Sequence, residues 1–255
     1  MPFVQVSGKR IHYVQSLGVR GDVPLVFVHG AGGTHENWLH QLRGLSCRYP
    51  VLAVDLPGHG RSEGNGFQSI EAYRDFVRDF LDVLDIRRAI LVGHSMGGAV
   101  ALSFALVYST RLTALVLVGT GVRLKVHPKV FEALRGDPQE AVHLLVGWAY
   151  AETASLEMIR QGEAKWLEGS PMVVEGDFLA CNAFDLMDEV ERIVLPTLIL
   201  CGTKDRLTPV NYAEHLHQKI QGSSLALIPG AGHMVMIERP EAVNQALHVF
   251  LQQIV

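Results

Sequence analysis

Ser95 stands at the centre of Gly93-His94-Ser95-Met96-Gly97, a G-x-S-x-G run. An apolar strand pattern, Ala89 to Val92, precedes it, and an uncharged helical pattern from Met96 to Tyr108 follows. A sharp strand-to-helix turn crowds its central residue, so the flanking positions must be small, and the turn lifts the hydroxyl to the rim of a sheet. A serine hydroxyl is a poor nucleophile until a neighbouring base takes its proton. The expected base is His233, which ends the glycine turn Gly230-Ala231-Gly232-His233 after a late apolar run; imidazole titrates near neutral pH. Asp205 closes Cys201-Gly202-Thr203-Lys204-Asp205 after the preceding run, and is expected to orient His233 and balance the imidazolium.

Such chemistry develops a negative oxygen. His29-Gly30-Ala31-Gly32-Gly33 follows the first clear buried strand, and its small residues let a backbone N–H approach a reacting carbonyl. Ala31 N–H and Met96 N–H, the latter at a helix N-terminus, are the expected oxyanion donors. One such donor is worth roughly 3 to 4 kcal/mol in the transition state.

The chain has 12 histidines, so the choice of one needs a reason. His29, His59 and His94 sit in the motif loops, where shaping the pocket or bonding backbone is the expected task. His127, His143, His215, His217 and His248 fall on helices or their edges and read as surface or core. Asp55 also follows a strand, but its Pro57-Gly58 turn points to loop stabilisation; Asp185 and Asp188 read as solvated or capping.

These residues need a scaffold of parallel strands. Leu25–Val28, Val51–Val54, Ala89–Val92, Ala114–Val118, Thr197–Leu200 and Leu225–Ile228 are short apolar runs separated by helical patterns. That alternation predicts an α/β fold with a mostly parallel sheet covered on both faces. Phe3 to Gln15, with a turn at Ser7-Gly8, reads as an antiparallel hairpin at the sheet edge. Residues 122–194 lack strand patterns. They read as helices around Pro128–Leu134, Pro138–Tyr150, Ser155–Leu167 and Pro171–Ala183, inserted over the strand ends. The expected domains are a core of residues 1–121 and 195–255 and a helical cap of 122–194.

The 255 residues are 48% hydrophobic and 19% charged, with a formal charge of −4. A low charged share argues for a large core and against disorder. No basic face for nucleic acid is indicated. Cys47, Cys181 and Cys201 form no C-x-x-C pair and read as apolar core residues rather than a zinc site or disulfide scaffold. The uncharged stretch Ala89 to Thr110 is long enough to span a bilayer, but its glycines divide it into a strand and a helix. With no secretory pattern at the N-terminus, a cytoplasmic location is expected.

The motif set resembles the α/β-hydrolase fold superfamily. It rests on His29 to Gly33, Asp55-Leu56-Pro57-Gly58-His59-Gly60-Arg61-Ser62, Gly93 to Gly98, Asp205 and His233, in the order Ser, Asp, His that this architecture uses. The likeness is to its carboxylesterase and lactonase branch with a helical cap. It implies a serine hydrolase acting on carboxylic esters, with no metal and no organic cofactor. A diketone-type carbon–carbon hydrolase, a lactonase or a cofactor-free perhydrolase would use the same three residues. A ligand-sensing protein with slow hydrolysis is the rival of another class. Substrate contacts are expected from Gly30, Trp38, His94, Trp148, Trp166 and Met234, with Met158, Met172, Phe178 and Met187 as further apolar candidates. The expected partner is a small-molecule ester with an apolar acyl group, with no nucleic acid and no membrane. Oligomeric state stays open, a homodimer included.

Overall fold

Apolar runs without polar alternation must be buried on both faces, and the computed structural model stacks them side by side in one eight-stranded sheet. The structure describes residues 2–16 and 23–254. The strands are β1 (Phe3–Val6), β2 (Lys9–Ser16), β3 (Leu25–Val28), β4 (Val51–Val54), β5 (Ala89–His94), β6 (Leu112–Val118), β7 (Thr197–Gly202) and β8 (Ser224–Ile228). Their spatial order is β1-β2-β4-β3-β5-β6-β7-β8. β1 and β2 form the expected edge hairpin, and β2 pairs antiparallel with β4. Every pairing from β4 to β8 is parallel. β3 to β7 are buried almost throughout, whereas edge strand β8 is exposed or half-buried except at Ile228.

Helices cover both faces. They are α1 (Leu39–Leu45), α2 (Ile70–Val83), α3 (Met96–Val107), α4 (Pro128–Gly136), α5 (Pro138–Ala149), α6 (Leu156–Leu167), α7 (Pro171–Ala183), α8 (Val210–Lys219), α9 (Val235–Glu238) and α10 (Pro240–Ile254). Tyr73, Phe80, Phe104 and Leu216 from α2, α3 and α8 fill one face of the sheet. Leu42, Leu247, Phe250 and Leu251 from α1 and α10 fill the other. Helix starts follow local chemistry. Ser69 and Ser155 accept the amides of Ala72 and Met158, Asp137 accepts those of Gln139 and Glu140, and Pro128, Pro138 and Pro171 open their helices.

α4 to α7 lie between β6 and β7 in the chain and share a small core of Val130, Leu134, Ala141, Leu145 and Val174. The uncharged stretch Ala89–Thr110 is divided at Ser95 into β5 and the 12-residue α3. Among the described residues no helix is long and apolar enough to cross a membrane. One cysteine departs from expectation: Cys181 and Cys201 are buried, but Cys47 is exposed beyond the end of α1.

Candidate active site

β5 is flanked by β3 and β6, and the bend at its end holds Ser95 at φ 52° and ψ −115°. A non-glycine residue there costs about 1 to 3 kcal/mol and persists only where its surroundings over-determine it. They do. Ser95 N donates to Val118 O at 2.9 Å, and Ser95 O accepts from Gly98 N, Ala99 N and Thr120 Oγ1 at 2.9, 3.1 and 2.8 Å. Gly93 is required by contact: a Cβ there would lie 2.1 Å from Gly97 O. Ser95 is the one residue from 89 to 105 that is not buried. Among the described residues its hydroxyl has no hydrogen-bond partner, so it is free to meet a ligand.

Asp205 and His233 come together at the ends of β7 and β8. His233 Nδ1 donates to Asp205 Oδ2 at 2.9 Å. Asp205 Oδ1 accepts the amides of Leu207 and Thr208, each at 2.9 Å, and Oδ2 accepts Thr208 Oγ1 at 2.8 Å. Burial pushes the Asp205 carboxyl up, but the His233 charge and these hydrogen bonds outweigh it and hold the group below the usual carboxylate range. His233 is anchored by its backbone: its amide donates to Ala149 O at 2.7 Å and its carbonyl accepts His94 Nε2 at 3.0 Å. His94 therefore carries its proton on Nε2, and burial together with the nearby His233 charge depresses its titration far below that of free imidazole. Ser95 and His233 line one small cavity with Gly30, Ala31, His94, Trp166 and Met234.

The loop after β3 is held by its carbonyl side. Leu56 N–H donates to His29 Nε2 at 3.0 Å, so Nδ1 carries the His29 proton and donates to Gly30 O at 2.8 Å. Gly33 N donates to the same carbonyl at 3.0 Å. In a trans peptide the N–H opposes the carbonyl within one plane, so Ala31 N–H points outward from the opposite edge of that group. Gly30 fits because it lacks a side chain: a Cβ there would meet His94 Nδ1 at 2.9 Å and Ser95 Cβ at 3.1 Å. Met96 opens α3, where first-turn amides have no intrahelical acceptor.

Burial, with the His59 charge second, lowers the His29 pKa to about 4. A folded-state value below that of free imidazole means that the unfolded chain binds more protons between about pH 6.5 and 4. Stability from neutral His29 is therefore complete above pH 6.5 and is lost as pH falls toward 4. The wild-type advantage over His29→Asn should narrow by about 2 to 3 kcal/mol on going from pH 7 to pH 4. Urea unfolding at both pH values checks this; a constant or widening gap contradicts it.

A larger cavity of about 350 Å³ opens beside Ser95. Ala31, Leu124, Val130, Leu145, Trp148 and Phe178 give it apolar walls, while Lys125, His127 and Arg206 supply polar lining. Of the expected substrate contacts, Gly30, His94, Trp148, Trp166 and Met234 line one or other of these cavities. Trp38 does not. It is fully buried against Phe27 in the core under the sheet, because the turn before α1 swings its indole inward. Met172 and Met187 are surface residues, 62% and 37% exposed, and Met158 lines a separate cavity with Tyr150 and Trp166.

Three residues escaped the sequence reading. Thr208 braces Asp205, and its signal was an Asp followed three residues later by Thr-Pro, a turn pattern. Glu238 ties the His233 loop to the end of α5, accepting Gly232 N at 3.0 Å and Ala151 N at 3.1 Å. Asp177 is a fully buried acid on α7; its signal was a charge within the apolar stripe Val173, Val174, Ala180, Cys181. His127 is exposed, as expected, and also borders the large cavity. Asp55 behaves as expected of a loop brace, accepting His12 Nδ1, His35 Nδ1, His35 N and Arg61 N at 2.7 to 3.1 Å.

Residues 25–246 match the model of a family described as "Alpha/beta hydrolase family". The chain is 33% identical, over 98% of its own length and 68% of the relative's, to a Pseudomonas putida protein named dihydrolipoyllysine-residue acetyltransferase component of acetoin cleaving system. Its fold superposes on a solved thermophilic esterase with a TM-score of 0.88 and 34% identity, covering 99% of this chain and 97% of that one. It superposes on the enol-lactonase from Burkholderia xenovorans LB400 with a TM-score of 0.91 and 26% identity, covering 98% and 100%. The matched span includes β5, β7 and β8, the strands that lead into Ser95, Asp205 and His233, and the chain belongs to the alpha/beta hydrolase family.

Proposed function

We propose that the protein hydrolyses carboxylic esters of small to medium, apolar acyl groups by way of an acyl-enzyme on Ser95. The observation that carries this reading is a carboxylate-oriented imidazole, His233, sharing a cavity with a hydroxyl that has no hydrogen-bond partner among the described residues and sits at a strained bend. In the first half-reaction Ser95 Oγ attacks the acyl carbon as His233 Nε2 takes the hydroxyl proton. The carbonyl oxygen becomes negative between Ala31 N–H and Met96 N–H. When the intermediate collapses, the acyl–oxygen bond breaks and the alcohol leaves with the proton from His233. Water repeats the sequence on the acyl-enzyme, releasing the acid and restoring Ser95. Asp205 stays ionised throughout and steadies the imidazolium.

The apolar walls of the 350 Å³ cavity favour a neutral acyl chain, and its size is at the lower end of small-molecule sites. Residues 122–194 supply Leu124, Val130, Leu145, Trp148 and Phe178 to it, which supports their role as a cap. Cyclic esters belong to the same reading, and the structural likeness to an enol-lactonase supports testing them.

A fluorophosphonate should label Ser95, read by peptide mass spectrometry. A panel of p-nitrophenyl esters of rising chain length, lactones and diketones should give the highest kcat/KM on an ester or lactone. An inert serine with no turnover on any panel member would overturn the proposal and favour a ligand-sensing role.

A further inference from the structure

Asp177 is a carboxylate with no exposed surface, carried by α7 of the helical insertion. It meets three separate parts of the core. Oδ2 accepts Gly32 N, in the loop after β3, at 2.9 Å. The same oxygen accepts His59 Nε2, in the loop after β4, at 2.8 Å. Oδ1 accepts Tyr73 Oη, on α2, at 2.5 Å. His59 Nδ1 faces Pro57 O at 3.1 Å, so both ring nitrogens point at acceptors and the imidazole is held as a cation. The pair is thus charge-balanced inside the protein, and the His59 ring lies against that of His29 at 4.8 Å.

Ala31 sits between two peptide groups gripped from opposite ends. The Gly30–Ala31 group is held by its carbonyl, through His29 and Gly33. The Ala31–Gly32 group is held by its N–H, through Asp177. Fixing both planes leaves the Ala31 backbone little freedom to rotate. We propose that Asp177 is a positioning residue that lets the helical insertion set the direction of the Ala31 N–H toward the carbonyl oxygen of the substrate. This rests on the ester-hydrolase reading, in which that N–H meets the oxyanion. Its consequence is that correct seating of α7 and a competent oxyanion site form one state, so a displaced insertion leaves a bound ester unreactive.

The test compares Asp177→Asn, Asp177→Leu and Asp177→Ala in the full chain. Asparagine can keep its oxygen on Gly32 N and turn its amide toward Tyr73 Oη, so Asp177→Asn should retain kcat within about threefold. Leucine and alanine remove the acceptor, and kcat should fall about 10- to 100-fold, part of what losing one oxyanion donor costs, with KM within about threefold. All three substitutions remove the charge that balances His59, but only leucine and alanine also remove its hydrogen-bond acceptor, so one of those two can fail to fold; the other then carries the comparison. Hydrogen–deuterium exchange of peptides spanning residues 29–33 provides a readout that needs no turnover. Protection should be lost in the leucine or alanine variant and kept in the asparagine variant. If neither Leu nor Ala yields folded protein, slowed exchange of that segment in Asp177→Asn equal to wild type supports the clamp, and loss of it overturns the proposal. A leucine variant with kcat within twofold of wild type, or with unchanged protection, also overturns it. Loss of ester turnover by the wild type with the protection pattern intact would instead count against the functional reading alone.

Discussion

Ser95→Ala should lower ester turnover by roughly 10⁴- to 10⁶-fold while leaving the melting temperature within about 2 °C of wild type. The size follows from the chemistry: without Oγ no acyl-enzyme forms, and only the oxyanion donors and substrate binding remain to assist water. The unchanged stability follows from the structure. Ser95 Oγ has no hydrogen-bond partner among the described residues, so its removal orphans nothing. Alanine keeps the Cβ, so the strain of the positive φ is unaltered. The bend is held by backbone groups and Thr120, none of which the substitution touches. Single-turnover kinetics and differential scanning calorimetry on the same preparation separate the two effects. A variant that keeps more than about a hundredth of wild-type kcat would mean that another group attacks the ester.

Asp205→Asn should cost about 10³- to 10⁴-fold in kcat, for a reason that can be read from its hydrogen bonds. Oδ1 accepts two backbone amides, Leu207 N and Thr208 N, so the oxygen of an asparagine must stay on that side. Its NH₂ then occupies the Oδ2 position and faces His233 Nδ1. Two donors cannot share that contact. His233 must present a bare Nδ1 and carry its proton on Nε2, the nitrogen that has to receive the proton of Ser95. The base is therefore in the wrong tautomer without having moved. Steady-state kinetics measure the loss, and a ¹⁵N spectrum of the imidazole should show the proton shifted between nitrogens. Activity within tenfold of wild type, or an unchanged tautomer, would remove Asp205 from this role. Substrate affinity should change little, because Asp205 borders neither of the cavities beside Ser95.

Much of the scaffold was legible because its rules are local. Ser69, Asp137 and Ser155 cap helices through amides two or three residues away. The prolines at 128, 138 and 171 start helices by their own ring geometry. α1 went unread because Leu39–Leu45 is short and the buried Gln41 interrupts its apolar stripe, and α8 was legible only through His215 and His217 because half-buried polar residues blur the stripe of Val210–Lys219. Trp38 was placed in a pocket by its nearness in sequence to the Ala31 loop. Its indole instead completes the apolar layer under Phe27, a matter of packing rather than of spacing.

By itself the sequence determined the parallel strands, the bend that must carry Ser95, and the chain order in which an acid and an imidazole follow it. Those features depend on backbone geometry and contacts a few residues apart. Tertiary structure alone decided which side chains wall the cavity, that Thr208 and Glu238 brace the loops of Asp205 and His233, and that Asp177 reaches Gly32, His59 and Tyr73 across 145, 118 and 104 residues of chain. A buried carboxylate is tolerated only when its hydrogen-bond donors converge on it. Which donors converge is set by how distant elements pack, and no local pattern records that.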